Sequence, residues 1–307
     1  MINKDLVIIG GGPAGLTAGL YAARAALDTV LIERGMPGGQ AAQTERIENY
    51  SGFPAGIDGP ELAMKMAEQA QHFGCEIVYS DVEKLEPLQG GFKITYGGNE
   101  ILAKAVIVAS GAKPKFLGVK GESEFHGRGV SYCATCDGAF FRDRVLAVVG
   151  GGDAAVEEAM FLTKFAAKVY IIHRRGELRA TKILQQRALN NPKIEFVWHS
   201  VVESVLGEQT VKGVLIKDVR TDEKKELPVD GVFVYVGTQA NSDLVKDLVE
   251  TDNNGYVIAG EDTSTAIPGL YVAGDLRKKQ LRQVITAAAD GAVAATQVEK
   301  YLASMEE

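Results

Sequence analysis

The chain has 307 residues, which is enough for two domains of ordinary size. Hydrophobic residues make up 46% of the sequence and charged residues 24%, with both signs scattered along the chain, as is typical of a soluble globular protein. The formal net charge is -7, and no segment concentrates basic residues into a phosphate-binding surface. We therefore expect no nucleic-acid partner.

The amino-terminal segment is predicted to be a strand, at residues 4–9. It leaves no room for the charged head, apolar core and cleavage site of a secretory signal. No apolar run reaches the roughly 18 residues that a membrane-spanning helix needs, so no membrane association is expected. The predicted location is the cytoplasm, where thiols stay reduced and a close cysteine pair is catalytic or metal-binding more often than structural.

A glycine-rich turn, Gly10 to Gly15, follows this strand. Residues 13–26 are predicted to form a helix of small residues, and residues 29–32 a second strand that ends at Glu33. In such a unit the helix N-terminus can hold a pyrophosphate, and the carboxylate can accept hydrogen bonds from a ribose diol. Because the carboxylate would repel a ribose 2′-phosphate, this site suits FAD or NAD.

The cysteines are Cys75, Cys133 and Cys136, too few for a four-cysteine zinc site, and no histidine has a spacing that would complete a mixed one. We therefore expect no metal. The two-residue gap between Cys133 and Cys136 instead allows a reversible disulfide. Asp137 is the candidate general acid beside it, with capping of the next turn as the alternative. Cys75 is predicted to be a small buried hydrophobe.

A second nucleotide-binding unit is predicted from a strand at residues 145–149, a glycine turn at 150–155, a helix at 154–165 and a strand at 168–172. Glu33 lies 23 residues after Gly10, and the position 23 residues after Gly150 is His173, followed by Arg174 and Arg175. Guanidinium groups pair with phosphate oxygens, so this site suits NADPH, and Arg179 can add a third charge. Such a run elsewhere is most simply a solvated charge cluster.

Taken together, these motifs resemble those of the bacterial low-molecular-weight thioredoxin reductases, and the resemblance covers nearly the whole chain. The segments that carry it are Gly38 to Gln40, Glu48 to Pro54, Gly127 to Ser131, Cys133 to Gly138, His173 to Arg175 with Arg179, Gly274-Asp275 and Arg282-Gln283. The resemblance implies an α/β fold with two Rossmann-like nucleotide-binding domains of the three-layer ββα type, one inserted into the other. Residues 1–112 and 242–307 would bind FAD, and residues 113–241 would bind NADPH and carry the cysteine pair.

The resemblance also implies roles for individual residues. Gln40 and Asn49 would lie near the isoalloxazine, Asp275 would bond to the linker between ring and phosphate, and Gln283 would open the last helix toward the flavin. The FAD-binding residues expected in this way are Gly10, Gly12, Pro13, Ala14, Gly15, Glu33, Arg34, Gly39, Gln40, Asn49, Gly274, Asp275, Arg282 and Gln283. Those expected for NADPH are Gly150, Gly152, Asp153, Ala154, His173, Arg174, Arg175 and Arg179.

The implied reaction passes electrons from NADPH through FAD and the Cys133–Cys136 disulfide to thioredoxin. Cys136 would face the flavin, Cys133 would attack the partner, and Asp137 would protonate the departing thiolate. The alternative is NADPH-dependent reduction of another small dithiol partner, glutaredoxin-like or in a peroxiredoxin system; reductases of the latter type usually carry an extra N-terminal module, for which this chain has no room. The arginine cluster argues against ferredoxin as the reductant, and the cysteine pair beside Asp137 argues against a nucleotide sensor without turnover.

The domain plan has a mechanical consequence. Two chain connections link the domains, and glycine, proline and polar residues gather at both, around 111–114 and 237–242. A compact inserted domain cannot present its nicotinamide and its dithiol to one flavin at once. We therefore expect this domain to rotate between two positions. The family resemblance further implies a homodimer.

Overall fold

A computed structural model describes residues 2–44 and 46–306. The chain divides into two compact units, one made of Met1–Lys113 with Gln239–Glu307 and the other of Pro114–Thr238. We call them unit 1 and unit 2. The chain passes between them after Lys113 and after Thr238.

The described residues contain six α-helices, two of which directly follow glycine turns. They are α1 Pro13–Arg24, α2 Gly59–His72, α3 Ala134–Asp137, α4 Asp153–Leu162, α5 Lys182–Leu189 and α6 Val284–Glu306. Short 3-10 turns at Gly39–Gln43, Gly138–Phe141 and Gly274–Leu276 lie in loops at the predicted sites. No helix within the described part of the chain combines the length and the hydropathy that a bilayer crossing requires.

The strands are numbered in chain order. They are β1 Ile2–Ile9, β2 Thr29–Glu33, β3 Arg46–Ile47, β4 Ile57–Asp58, β5 Glu76–Tyr79, β6 Val82–Leu88, β7 Gly91–Tyr96, β8 Asn99–Val108, β9 Ala112–Pro114, β10 Val130–Ser131, β11 Val145–Gly150, β12 Lys168–Ile172, β13 Ile194–Val197, β14 Ser200–Gly207, β15 Val211–Asp218, β16 Lys224–Pro228, β17 Gly231–Tyr235, β18 Thr238–Ala240 and β19 Leu270–Val272.

Unit 1 is built on a seven-stranded sheet in the order β5-β2-β1-β8-β7-β6, with β19 also pairing with β8. The β5, β2, β1, β8 and β19 pairings are parallel, whereas β6, β7 and β8 form an antiparallel meander. Leu6 and Ile8 of β1 pack against the core shared with the helices, and Val7 and Ile9 pack on the opposite face, in the core shared with the meander. A strand covered on both faces is continuously apolar, which explains why no alternation is visible in its sequence.

Unit 2 repeats the plan with a parallel sheet in the order β10-β17-β11-β12-β13 and a separate antiparallel sheet β14-β15-β16. Leu146 and Val148 of β11 face the core that contains α4 and α5 residues, while Ala147 and Val149 face the core shared with β14 and β15. Both units therefore have helices on one face of a parallel sheet and antiparallel strands on the other. The expected α/β fold with two Rossmann-like domains is confirmed.

The two connections between the units lie beside each other, because β9 and β18 pair as a two-stranded sheet. On the unit 1 side, Asn241 Nδ2 donates to the Ser110 carbonyl at 2.9 Å, and Ser110 Oγ donates to the Asn241 carbonyl at 2.7 Å. Gly111 and Gly237 have positive φ of 66° and 114°, a conformation that glycine adopts without strain. Each connection thus contains a permissive glycine next to a fixed pair of strands.

Cys75 is buried in unit 1, with a relative exposure of 3%. A Cβ added at Gly19 of α1 would lie 2.7 Å from its sulfur, so helix and thiol are in close contact. Burial raises the pKa of the Cys75 thiol to about 11. The side chain is a packed hydrophobe that stays protonated, which agrees with its interpretation from sequence.

Candidate active and cofactor-binding sites

The first glycine turn joins β1 to α1 at an unusually close approach. A Cβ at Gly15 would lie 1.8 Å from the Gly10 carbonyl oxygen, and one at Gly10, where φ is +105°, would lie 2.5 Å from the Ala109 oxygen. The N-cap, Gly12, has no side chain to satisfy the first N–H groups of α1, and a Cβ there would meet no described atom within 4 Å. An open helix N-terminus with free N–H groups is suited to a pyrophosphate.

Glu33, at the end of β2, lies directly beside this turn. One carboxylate oxygen accepts the Gly11 N–H at 2.5 Å, and the other accepts the Gly35 N–H at 2.9 Å. These bonds fix the acid next to the helix N-terminus, and each oxygen keeps a lone pair for a further donor. The neighbouring Arg34 is exposed.

Two predicted flavin-side residues from distant parts of the sequence meet in the fold. Asn49 Nδ2 donates to Gln283 Oε1 at 3.1 Å, although the residues are 234 positions apart. Gln283 directly precedes α6, and its carbonyl accepts the Ala287 N–H at 3.0 Å in the first turn of that helix. Gly39 and Gln40 are exposed at the start of a 3-10 turn.

The turn that contains Gly274 and Asp275 packs on the N-terminal part of α1, because a Cβ at Gly274 would lie 2.8 Å from the Cβ of Ala14. Asp275 Oδ1 is buried and has no hydrogen-bond partner among the described residues, and the same holds for Arg282 Nε. Burial raises the pKa of Asp275, while the charges of Lys279 and Arg282 oppose that rise. A buried acceptor and donor without partners, beside an open phosphate cradle, fit a bound FAD.

The second glycine turn, between β11 and α4, has the same open form. Gly152 is the N-cap of α4, and a Cβ there would meet no described atom within 4 Å. The Gly151 carbonyl accepts the Arg179 N–H at 2.7 Å, and Asp153 Oδ1 accepts the Thr181 N–H at 2.6 Å. These bonds tie the segment that carries Arg179 to the turn, so the sequence-distant arginine lies at this nucleotide cradle.

The basic cluster divides into one buried and three exposed members. His173 has a relative exposure of 5%, and a Cβ at Gly151 would lie 2.4 Å from its Nδ1. Burial lowers the pKa of His173, and the positive charges of Arg179, Arg174 and Arg175 lower it further. The exposed arginines are available to a phosphate, whereas His173 supports the glycine turn from beneath.

The cysteine pair is a formed disulfide between Cys133 and Cys136, with Cα atoms 5.3 Å apart. Cys133 Sγ also accepts the Cys136 N–H at 3.2 Å and lies 3.3 Å from Thr135 Oγ1. Donors at these positions stabilise a thiolate on Cys133 once the disulfide is reduced. The half-buried Asp137 makes no side-chain capping bond to the 3-10 turn that follows, so the capping alternative is not supported.

Two tyrosines that the sequence analysis missed hold the redox loop. Tyr235 Oη accepts the Ala134 N–H at 2.8 Å, and burial raises the pKa of Tyr235, so the phenol stays neutral. Tyr132 donates to Glu122 Oε1 at 2.8 Å, and this carboxylate is only 2% exposed. In the sequence, one of these tyrosines lies beside Cys133 and the other ends an apolar strand. Both patterns are common in ordinary protein cores, so neither indicates a functional residue.

Comparison with known proteins decides the family. A model of the pyridine nucleotide-disulphide oxidoreductase family matches residues 4–291. The thioredoxin reductase of Bacillus subtilis (strain 168) is 48% identical over 304 residues, which cover 99% of this chain and 96% of that protein. The chain belongs to the thioredoxin reductase family.

Solved structures agree with this membership. The crystal structure of Lactococcus lactis thioredoxin reductase in its FR conformation matches with a TM-score of 0.96 at 46% identity, over 98% of this chain and 99% of that chain. The thioredoxin reductase of Streptococcus pyogenes MGAS5005 is 50% identical over the same shares, with a TM-score of 0.65. As a member of the family, this chain is an NADPH-dependent flavoprotein disulfide reductase whose cofactors are FAD and NADPH.

Proposed function

We propose that this enzyme reduces thioredoxin, with FAD bound by unit 1 and NADPH by unit 2. The observation that carries the proposal is a formed Cys133–Cys136 disulfide in the same unit as the arginine cluster. FAD, when bound, supplies two-electron transfer between the nicotinamide and the disulfide. The name of the curated relatives, thioredoxin reductase, supports thioredoxin as the partner.

In the proposed sites, unit 1 holds FAD through the open N-terminus of α1, the Glu33 carboxylate and the Asp275 turn. The hydrogen bond between Asn49 and Gln283 orients two polar side chains that would lie near the flavin ring. In unit 2 the N-terminus of α4 holds the NADPH pyrophosphate, and Arg174, Arg175 and Arg179 hold the 2′-phosphate. Three cations at one phosphate provide the bidentate pairing that an acid at this position would prevent.

The exchange with thioredoxin follows from the chemistry of the two sulfurs. The Cys133 thiolate attacks the partner disulfide, bonds to one partner sulfur and expels the other as a thiolate, which takes a proton from water. The Cys136 thiolate then attacks Cys133 Sγ, which re-forms the Cys133–Cys136 disulfide and releases the second partner sulfur as a thiolate that also takes a proton from water. The pair loses two electrons and the partner gains them. Asp137 protonates the thiolate that leaves when the pair is next reduced.

Replacing Asp137 by asparagine tests its role as the acid. The substitution keeps the shape of the side chain and removes the proton, so the rate of disulfide reduction should fall by about 100-fold, the lower range for general acid catalysis. Anaerobic stopped-flow experiments separate this step from the reduction of the flavin by NADPH, which should be unchanged. An Asp137→Asn enzyme with a normal disulfide step at every pH would assign the proton to water instead.

Alternation between two orientations of unit 2 completes the proposal. The nicotinamide and the disulfide both belong to unit 2, and each must reach the flavin ring that unit 1 holds. The paired strands β9 and β18 and the glycines at 111 and 237 support a hinge at this junction.

The direct experiment is turnover with candidate partners. We expect NADPH oxidation to be fast with the host's own thioredoxin and slow with its glutaredoxin-like protein or its peroxiredoxin system as direct acceptor. Each acceptor is supplied oxidised at equal concentration, and kcat/KM is compared. Slow turnover with thioredoxin and fast turnover with another dithiol protein would replace thioredoxin as the partner.

We also propose that the enzyme works in the cytoplasm as a homodimer. A groove of about 310 Å³ lies between α1, α2 and α6 of unit 1, lined mainly by apolar side chains that include Leu20, Met66 and Ala292. Tyr21 and Ile285 on its rim are 45% and 41% exposed. Such a surface supports an interface with a second copy, and sedimentation equilibrium of the holoenzyme measures it.

A further inference from the structure

A buried charge cluster ties α6 to the turn that carries Asp275. Asp290 of α6 is 7% exposed, and its Oδ2 accepts the Gly274 N–H at 3.0 Å. Arg277 binds both of its oxygens, with Nη2 to Oδ1 at 2.7 Å and Nε to Oδ2 at 3.3 Å. The Lys279 ammonium donates to Oδ2 at 3.0 Å. Three positions of the segment 274–279 are therefore held by one carboxylate.

Lys279 connects this cluster to Asp275. Its ammonium lies 3.0 Å from Asp290 Oδ2 and 3.7 Å from Asp275 Oδ1, and its side chain is only 8% exposed. The second distance is that of an ion pair and is too long for a hydrogen bond. Lys279 thus places a positive charge beside Asp275 without a hydrogen bond to it. Asp275 Oδ1 therefore keeps its lone pairs for a ligand.

The contacts around the cluster also fix its position. Gly291, the neighbour of Asp290, packs so closely on α1 that a Cβ there would lie 2.1 Å from the Ala14 carbonyl oxygen. Arg277 Nη1 donates to the Gly260 carbonyl at 3.0 Å, which anchors the other end of the guanidinium. Helix α6, the Asp275 turn and the phosphate-binding end of α1 therefore meet at Ala14.

We propose that Asp290 and Lys279 are positioning residues for the flavin-binding carboxylate of Asp275. This inference rests on the proposed binding of FAD by unit 1. Asp290 sets the place of the turn by holding Gly274, Arg277 and Lys279 together. Lys279 supplies a positive charge beside Asp275, which lowers the pKa of its carboxyl group against the effect of burial.

The pH dependence follows from the groups that face Asp275. Burial raises the pKa of Asp275, Lys279 and Arg282 lower it, and Asp290 raises it, while Arg277 is occupied by Asp290. Removing the Lys279 charge raises the pKa of Asp275 further. The carboxyl group then takes up a proton at a higher pH, and a protonated Asp275 is a weaker acceptor. FAD release on acidification should begin at a higher pH.

The test is Lys279→Met against the matched control Lys278→Met. Lys278 is the exposed neighbour, so the control removes the same charge one residue away and leaves the buried contacts intact. FAD released from dilute holoenzyme is measured by ultrafiltration across a pH series, and far-UV circular dichroism follows the thermal unfolding of each stripped protein. We expect the Kd for FAD to rise about tenfold in Lys279→Met, as for the loss of one charge-assisted contact, with the release curve shifted to higher pH and the control unchanged.

A second variant, Asp290→Asn, removes the charge from the centre of the cluster and should weaken FAD binding more than Lys279→Met does. It leaves Arg277 and Lys279 without their buried counter-ion, so Lys279→Met remains the deciding variant if Asp290→Asn does not fold. Equal FAD release from Lys279→Met and Lys278→Met at every pH would overturn the inference. Failure of the unsubstituted protein to bind FAD would instead overturn the proposed function of unit 1.

Discussion

Replacing Cys136 by serine is expected to abolish reduction of thioredoxin while leaving reduction of the flavin by NADPH intact. The disulfide cannot form in this variant, so Cys133 has no partner sulfur with which to complete the exchange, and turnover should fall below detection. The nucleotide sites lie elsewhere in the chain and keep their residues. Anaerobic addition of NADPH should still bleach the flavin absorbance, and NADPH oxidation with thioredoxin should be absent.

The matched control is Cys75→Ala. It also removes one of the chain's three thiols, but at a buried position outside the redox pair, so turnover should remain. The variant Cys133→Ser should behave like Cys136→Ser in turnover, since both sulfurs are needed. Thioredoxin-dependent turnover that persists in Cys136→Ser would show that electrons leave the enzyme by another group.

Replacing both Arg174 and Arg175 by alanine should raise KM for NADPH by about 100-fold and leave KM for NADH nearly unchanged. Each guanidinium contributes about 1.5–3 kcal/mol to binding when it bonds to a charged oxygen. Arg179 stays in place and still holds the phosphate, so the loss is smaller than the sum for two guanidinium groups. NADH lacks the 2′-phosphate and loses nothing when the two charges are removed. Steady-state kinetics with both nucleotides measures the ratio directly.

Removal of charge in general is controlled by a double variant, Lys212→Ala with Lys225→Ala. Both side chains are exposed in unit 2, one on the antiparallel strand β15 and the other on β16. This variant should bind the two nucleotides as the unsubstituted enzyme does. If the Arg174 and Arg175 variant weakened NADPH and NADH binding equally, the cluster would hold the part common to both, and the 2′-phosphate assignment would be wrong.

The strands of both nucleotide units could be predicted from sequence to within two residues at each end. Buried parallel strands are continuously apolar, and the turns require glycine, so both leave a plain trace. Helix ends were less predictable. The first helix was expected to reach Ala26 but ends at Arg24, because Ala26 takes a positive φ of 58° and Leu27 bonds back to the Ala22 carbonyl. Glycine is the usual residue at such a position after a helix, and the alanine found here gives no sign of the helix end in the sequence.

The helix predicted at residues 154–165 was also too long, for a different reason. It was expected to reach Phe165 and ends at Leu162, and the Phe165 carbonyl accepts the Asp143 N–H at 2.9 Å. That bond comes from another part of the chain, and local sequence contains no information about it.

Among the candidate site residues, the sequence analysis named the chemical groups but missed the residues that contact and support them in the structure. Asp290 is an acid within a long apolar helix, which is a usable signal, but its partners Gly274 and Lys279 become apparent only in the fold. Tyr235 ends an apolar strand, and its bond to Ala134 depends on where β17 passes the redox loop. His173 was grouped with the arginines by its position in the sequence, whereas the structure buries it under Gly151.

The burial of Cys75 has a practical consequence for following the catalytic state. A thiol reagent applied to the native enzyme should find no reactive sulfur when the redox pair is oxidised and two when it is reduced, because the third is shielded and protonated. Denaturation then exposes the remaining one, which serves as an internal standard for protein amount. Alkylation followed by mass measurement can therefore count the reducing equivalents stored in this enzyme without any label.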